Sequence, residues 1–122
     1  MSDDQRAADA VPSTAVVTAP AEIDIANAGR LAIELDAAVR PGVTALVIDM
    51  TFTTFCDSQG LSVIAQTRRR AEAEGVDLRL VTPSPQVRSI LAVTELDTVV
   101  HVYQRLEDAL CADGTAAGEA GD

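Results

Sequence analysis

The chain has 122 residues, the length of one domain, and is 48% hydrophobic with only Phe52, Phe55 and Tyr103 as aromatics, so its core is expected to be aliphatic. All nine basic residues are Arg; without a Lys, a P-loop, a Schiff-base enzyme and a phosphoacceptor domain built on an active-site Lys are excluded. A net charge of −10 repels phosphate backbones and anionic bilayers, so neither nucleic acid nor membrane is expected as a direct partner.

Residues 1–12 are polar and Ala-rich, residues 112–122 small and acidic, and both are expected to be flexible tails around a folded unit of residues 13–111. Ala15-Val16-Val17-Thr18 is a short β-branched strand closed by Pro20. A helix is predicted over 27–40, with Asn27 as N-cap, Leu31, Leu35 and Val39 on its inner face, and Pro41-Gly42 as its stop. Ala45-Leu46-Val47-Ile48 is a continuous apolar run, the pattern of a strand covered on both faces. A Thr- and Phe-rich loop follows. A second helix is predicted from about 59 to 74, with Leu61, Ile64, Ala65 and Ala71 inward and Gly75 at its C-terminus. Residues 76–81 alternate as a strand. Ser84-Pro85 is an N-cap followed by proline at the first helical position, opening a helix to Val93. Residues 99–103 read as a last strand and 105–112 as a last helix.

Alternation with short connections predicts an α/β fold: a small, open, mixed but mostly parallel sheet with helices packed on it. In such sheets the working crevice lies beyond the carboxyl ends of the strands. Three loops leave that edge, residues 19–26, 51–58 and 82–85. They are expected to bring Glu22, Asp24, Asp57, Ser58 and Ser84 to one rim, with Gln59 and Gly60 beside them.

Ser58 stands at a helix start, where two readings are open. It is an N-cap whose hydroxyl accepts a backbone N–H, or a phosphoacceptor whose phosphate the helix dipole would stabilise. Cys56, two residues earlier, packs beside Phe55 or is a redox modulator whose pKa the helix N-terminus lowers. Phe52 and Phe55 are expected to anchor the loop to the core, an exposed one being an interface anchor instead. Arg68-Arg69-Arg70 faces Glu72 and Glu74 at i,i+4 spacing and reads as a solvated helix face. His101, within a strand and with no Asp or Cys near it in sequence, reads as structural. Two Cys and one His offer no metal set, and no metal or cofactor is expected. Without a leader-like apolar region after Met1 or a run of about 18 apolar residues, the chain is expected in the cytoplasm.

The segment Phe55-Cys56-Asp57-Ser58-Gln59-Gly60-Leu61 resembles the phosphorylation loop of STAS domains, in particular the anti-sigma factor antagonists, in which Phe, Asp, Ser, Gly and Leu recur as Phe55, Asp57, Ser58, Gly60 and Leu61. Ala21-Glu22-Ile23-Asp24, the strand Ala45-Leu46-Val47-Ile48-Asp49 and the strand at 78–81 are similar to family segments in the same order. The resemblance covers about residues 14–110. It implies a small interaction protein, not an enzyme, expected as a monomer or weak dimer. It further implies an anti-sigma factor of the serine-kinase type as partner, bound when Ser58 is unphosphorylated and released on its phosphorylation, with Asp24 and Asp57 beside the serine. The chain departs from the pattern at Gln59, at Ala21 where the family has Gly, and in a first strand that residues 1–12 barely show. A STAS module of another regulatory or transporter-linked assembly is the second reading. A small α/β enzyme using Cys56 or Ser58 is the third, and it lacks a nearby His as base.

Overall fold

The computed structural model describes residues 13–112; of the segments expected as tails, residues 1–12 and 113–122 lie outside the described residues. In chain order the elements are β1 (Thr14–Thr18), β2 (Glu22–Ile23), α1 (Ala28–Ala38), β3 (Ala45–Asp49), β4 (Phe55–Cys56) and α2 (Ser58–Glu74). They continue with β5 (Asp77–Val81), α3 (Pro85–Val93), a 3-10 turn (Leu96–Thr98), β6 (His101–Tyr103) and α4 (Leu106–Cys111). The main sheet runs β1-β3-β5-β6, and all its described pairs are parallel. This is the expected α/β class with a mostly parallel sheet. The last strand is shorter than expected because Leu96–Thr98 coils into the 3-10 turn and leaves His101–Tyr103 to pair.

One face of the sheet carries the main core. Leu46, Ile48, Leu78 and Leu80 point into it and meet Leu31 and Leu35 of α1, Val63, Ile64 and Ala71 of α2, and Val87 and Leu91 of α3. A smaller cluster, Val47, Val81 and Ala109 with Tyr103 and Leu106, lies on the other face under α4. Burial on both faces explains why all five residues of β3 are buried and apolar up to Asp49. The edge strand β1 alternates between exposed and half-buried, as a strand covered on one face does.

Arg79 is the exception to the expected alternation. It lies on the α4 face, yet it is only 4% exposed. Its Nε donates to Asp77 Oδ2 at 2.9 Å and its Nη1 to the Ala109 carbonyl at 2.8 Å. The guanidinium thus satisfies a carbonyl near the C-terminus of α4, where a cation also complements the helix dipole. The buried arginine is how a six-residue helix is fastened to the sheet.

The arginine run behaves as its spacing implies. Arg68 pairs with Glu72 at 2.8 Å and Arg70 with Glu74 at 3.8 Å, while Arg69 is exposed. Arg70 does more than the spacing shows: it pairs with Asp36 of α1 and donates to the Val39 carbonyl at 3.3 Å, joining α1 to α2.

Candidate functional site

Because β1 and β3 are parallel, the chain leaves both at the same edge. There the two loops expected from sequence are not irregular. Residues 22–23 and 55–56 form a parallel two-stranded ribbon, Glu22 opposite Phe55 and Ile23 opposite Cys56. Thr54 N–H donates to the Ala21 carbonyl at 2.8 Å and Asp57 N–H to the Ile23 carbonyl at 3.0 Å. Parallel register sends the next residues of both strands, Asp24 and Asp57, out of the same end. Two-residue strands have no periodicity, so sequence pattern does not reveal this ribbon. Ala21 needs no glycine-like conformation: among the described non-glycine residues only Glu95 has a positive φ.

The start of α2 differs from expectation in one atom-level respect. Asp57, not Ser58, is the N-cap: its Oδ1 accepts from Gln59 N–H at 2.9 Å and Gly60 N–H at 3.2 Å. A carboxylate takes this place readily because it both fills orphan donors and meets the positive end of the helix dipole. Ser58 becomes the first helical residue, exposed to solvent. Its hydroxyl makes no hydrogen bond with the described residues. Gln59 is exposed beside it, and Gly60 is buried. A Cβ on Gly60 would stand 2.6 Å from Cys56 Sγ and 2.7 Å from Ile23 Cγ2. Glycine here is what lets α2 rest directly on the ribbon.

The other rim residues are each committed to local structure. Asp24, half-buried, accepts the Ala26 N–H on Oδ1 at 3.0 Å. Asn27 holds the N-cap position of α1 as expected, but its side chain closes the preceding turn instead of bonding the helix: its Oδ1 accepts the Asp24 N–H at 3.0 Å and its Nδ2 donates to the Glu22 carbonyl at 2.7 Å. Glu22 is exposed. Ser84 is the N-cap of α3 as expected, accepting the Val87 N–H at 3.4 Å.

Of the two readings of Cys56 the geometry agrees with packing in the loop, while the expectation for the phenylalanines is corrected. Cys56 is 2% exposed, and burial, with the neighbouring Asp57 charge adding to it, pushes its thiol up to about 11. Burial thus moves the thiol in the opposite direction from the lowering expected of a helix N-terminus. The phenylalanines do not anchor the loop: Phe52 is 75% exposed and Phe55 49%. The anchor is Thr53 between them, 1% exposed. Ile25, on the neighbouring loop, is 77% exposed. Ile25, Phe52 and Phe55 therefore expose large apolar side chains on the two loops that carry Glu22, Asp24, Asp57 and Ser58.

Neither of the two larger clefts described is lined by Ser58, although the first reaches Pro85, beside the rim residue Ser84. One of about 800 Å³ lies between α3 and β6, and another of about 450 Å³ between α1 and α2. His101 Nδ1 lies 3.5 Å from Asp77 Oδ1, a partner from the adjacent strand that sequence distance conceals. Asp77 opens β5, so this pair sits away from the edge holding Ser58 and Cys56.

The STAS domain family model matches residues 5–109. The chain belongs to the STAS domain family. The anti-sigma-F factor antagonist RsfB of Mycobacterium tuberculosis is 30% identical over 96 residues, which cover 79% of this chain and 78% of RsfB. A second protein of that organism is 35% identical over 78 residues, but the match spans about half of it, 52%, and 62% of this chain. Among solved structures, an anti-sigma factor antagonist from Mycobacterium paratuberculosis superimposes with a TM-score of 0.73 at 31% identity, covering 84% of this chain and 86% of the other. No helix of the described residues is long and apolar enough to cross a membrane, and these residues hold no cluster of three metal-ligating side chains.

Proposed function

We propose that this STAS domain is an anti-sigma factor antagonist that binds a serine-kinase-type anti-sigma factor through the rim and is released when Ser58 is phosphorylated. The observation that carries the reading is the division of labour at the start of α2. Asp57 supplies the cap, so the Ser58 hydroxyl stands free at an exposed helix N-terminus. The names of relatives that match over most of their length point the same way.

The chemistry of the switch follows from the surroundings of Ser58. Before phosphorylation, Ile25, Phe52 and Phe55 offer apolar area for burial against a partner. A phosphate on Ser58 adds a charge of about −2 among Glu22, Asp24 and Asp57. The helix dipole stabilises it in the free protein, whereas a desolvated interface does not. The bound state therefore loses more than the free state, and the complex opens. Asp24 and Asp57 act before transfer, when their carboxylates favour the cationic groups or metal of a kinase site. In this reading the chain works by binding and not by catalysis, in the cytoplasm where its partner would act; it is supported by the distance of His101, paired with Asp77 at the start of β5, from the edge that carries Ser58 and Cys56.

The test is to incubate the protein with ATP and each purified serine-kinase-type anti-sigma factor of the source organism, then map phosphate by mass. Phosphate is expected on Ser58. Ser58→Ala is expected to abolish it and keep binding, and Ser58→Asp to weaken binding by on the order of 2–5 kcal/mol. Phosphate mapped elsewhere with Ser58 bare, or no binding to any of these factors, overturns the reading.

A further inference from the structure

The two chains that build the rim are paired twice and separated once. The first pairing is the main sheet, which ends where Ala19 N–H donates to the Asp49 carbonyl at 2.9 Å. The second is the ribbon, which begins where Thr54 N–H donates to the Ala21 carbonyl. Between them one chain has only Pro20 and the other has Met50, Thr51, Phe52 and Thr53. The longer side turns, with Thr53 N–H on the Met50 carbonyl at 3.0 Å, and throws Phe52 into solvent. Pro20 has no N–H, so the backbone cannot span the break from that side. A side chain spans it instead: Thr53 Oγ1 donates to the Pro20 carbonyl at 2.8 Å. Among the described residues this is the hydrogen bond that crosses the break. Asp49 holds the base of the same turn, accepting from both the N–H and the hydroxyl of Thr51.

We infer that Thr53 is a positioning residue for the rim. Its buried hydroxyl locks the loop carrying Phe52, Phe55, Asp57 and Ser58 to the loop carrying Glu22 and Asp24. Without it the Pro20 carbonyl loses its donor, and the two-residue strands hang on a four-residue excursion with no crosslink. A ribbon this short has little pairing of its own to preserve register. In the role it gives Ser58 this inference rests on the partner-switching reading; the clamp itself does not.

The experiment uses the full chain and three variants. Thr53→Val keeps the shape and replaces the hydroxyl by a methyl, Thr53→Ala removes it without crowding the carbonyl, and Thr53→Ser keeps the donor. Amide hydrogen exchange is followed at Thr54 and Asp57, whose N–H groups hold the ribbon, with Ile48 and Leu80 as references in the main sheet. Phosphorylation of Ser58 and affinity are measured with the same kinase-type anti-sigma factor. Thr53→Val and Thr53→Ala are expected to speed exchange at Thr54 and Asp57 at least tenfold while the references stay within twofold. Both are expected to lower the phosphorylation rate and affinity about three- to tenfold, and Thr53→Ser to restore both. Unchanged exchange, or equal acceleration at the reference amides, overturns the clamp. Loosened amides with unchanged rate and affinity overturn the positioning role. If the wild type is neither bound nor phosphorylated, the partner-switching reading fails and exchange alone decides whether Thr53 is a clamp.

Discussion

Helices α2 and α3 leave the same edge of the sheet, each with a serine at its start, and the two serines do different work. Ser84 is the cap of α3: its hydroxyl accepts the Val87 N–H, and Pro85 follows in the first turn, where a missing N–H costs nothing. Ser58 of α2 is relieved of that task because the residue before it is Asp57, whose carboxylate serves two N–H groups at once. The helices also end differently. α2 closes on Gly75 at φ 73, with Val76 N–H on the Ala71 carbonyl and Gly75 N–H on the Glu72 carbonyl. α3 runs into Glu95 at φ 64, a conformation that glycine adopts more cheaply. Whether either serine caps its helix is decided by the residue before it.

The largest effect is expected from closing the space under the start of α2. Gly60→Ala places a methyl against Cys56 Sγ and Ile23. The helix or the ribbon must then shift, at about 2–3 kcal/mol. Gly29→Ala in α1 meets nothing within 4 Å and is expected to gain about 0.5–1 kcal/mol from helix propensity. Thermal melts of the two variants check the contrast; equal effects would show that α2 does not rest on the ribbon as described.

The same packing makes a prediction for alkaline pH. A thiol that ionises at about 11 in the folded chain, against an ordinary 9.0, contributes stability while both states are protonated. That contribution is complete below about pH 9 and is lost as pH rises toward 11, on the order of 2 kcal/mol in all. Burial raises Tyr103 as well, so the wild-type slope alone is not diagnostic. The measurement is denaturant unfolding of wild type and Cys56→Ala from pH 7.5 to 10.5. The variant is expected to be less stable at neutral pH, through its smaller side chain, and to lose less on the way up. Parallel curves would contradict the thiol's burial.

How much of this was legible in the sequence depends on the scale of the feature. The helices and main strands carry periodicity, the Gly75 stop and the Ser84-Pro85 start over many residues, and these appear close to where the pattern puts them, although α1 ends at Ala38, before Pro41-Gly42, and the last strand is shorter than expected. The ribbon does not, because Glu22–Ile23 and Phe55–Cys56 are too short for a period and pair only through tertiary approach. Arg79 reads as the polar face of an alternating strand until α4 covers that face. Asp57 and Ser58 are both good caps in isolation, and only the dihedral angles choose between them. The phenylalanines mislead because large apolar side chains are usually buried, whereas here Thr53 between them is buried, with Met50 and Cys56, and both phenylalanines are exposed.

Caps sharpen the comparison on a smaller scale. Asp57→Ala removes an acceptor of two N–H groups and is expected to cost about 1–2 kcal/mol; Ser84→Ala removes one long bond and is expected to cost about 0.5–1 kcal/mol. Ser58→Ala is expected to change stability by less than about 0.5 kcal/mol, since its hydroxyl is unused. Chemical denaturation of the three variants ranks them. A cost for Ser58→Ala matching that of Ser84→Ala would make Ser58 a cap after all, and would remove the free hydroxyl on which the proposed switch depends.

The far ends of the two helices carry the comparison into their turns. Gly75→Ala forces a Cβ into the left-handed region and is expected to cost about 1 kcal/mol. Glu95→Gly goes the other way, relieving a strained residue while adding freedom to the unfolded chain, so the net gain is expected to be only about 0.5 kcal/mol, or roughly 2–4 °C in melting temperature. The gain is limited further because α3 has found another stop. Thr94 Oγ1 donates to the Ile90 carbonyl at 2.9 Å and lies 3.2 Å from that of Leu91, occupying acceptors that a glycine turn would otherwise serve. The double variant Thr94→Ala with Glu95→Gly separates the two devices. If the threonine substitutes for the glycine turn, its loss is expected to be smaller in the Glu95→Gly background than in wild type, and strict additivity in melts of the four proteins would show that the two ends of the turn act independently.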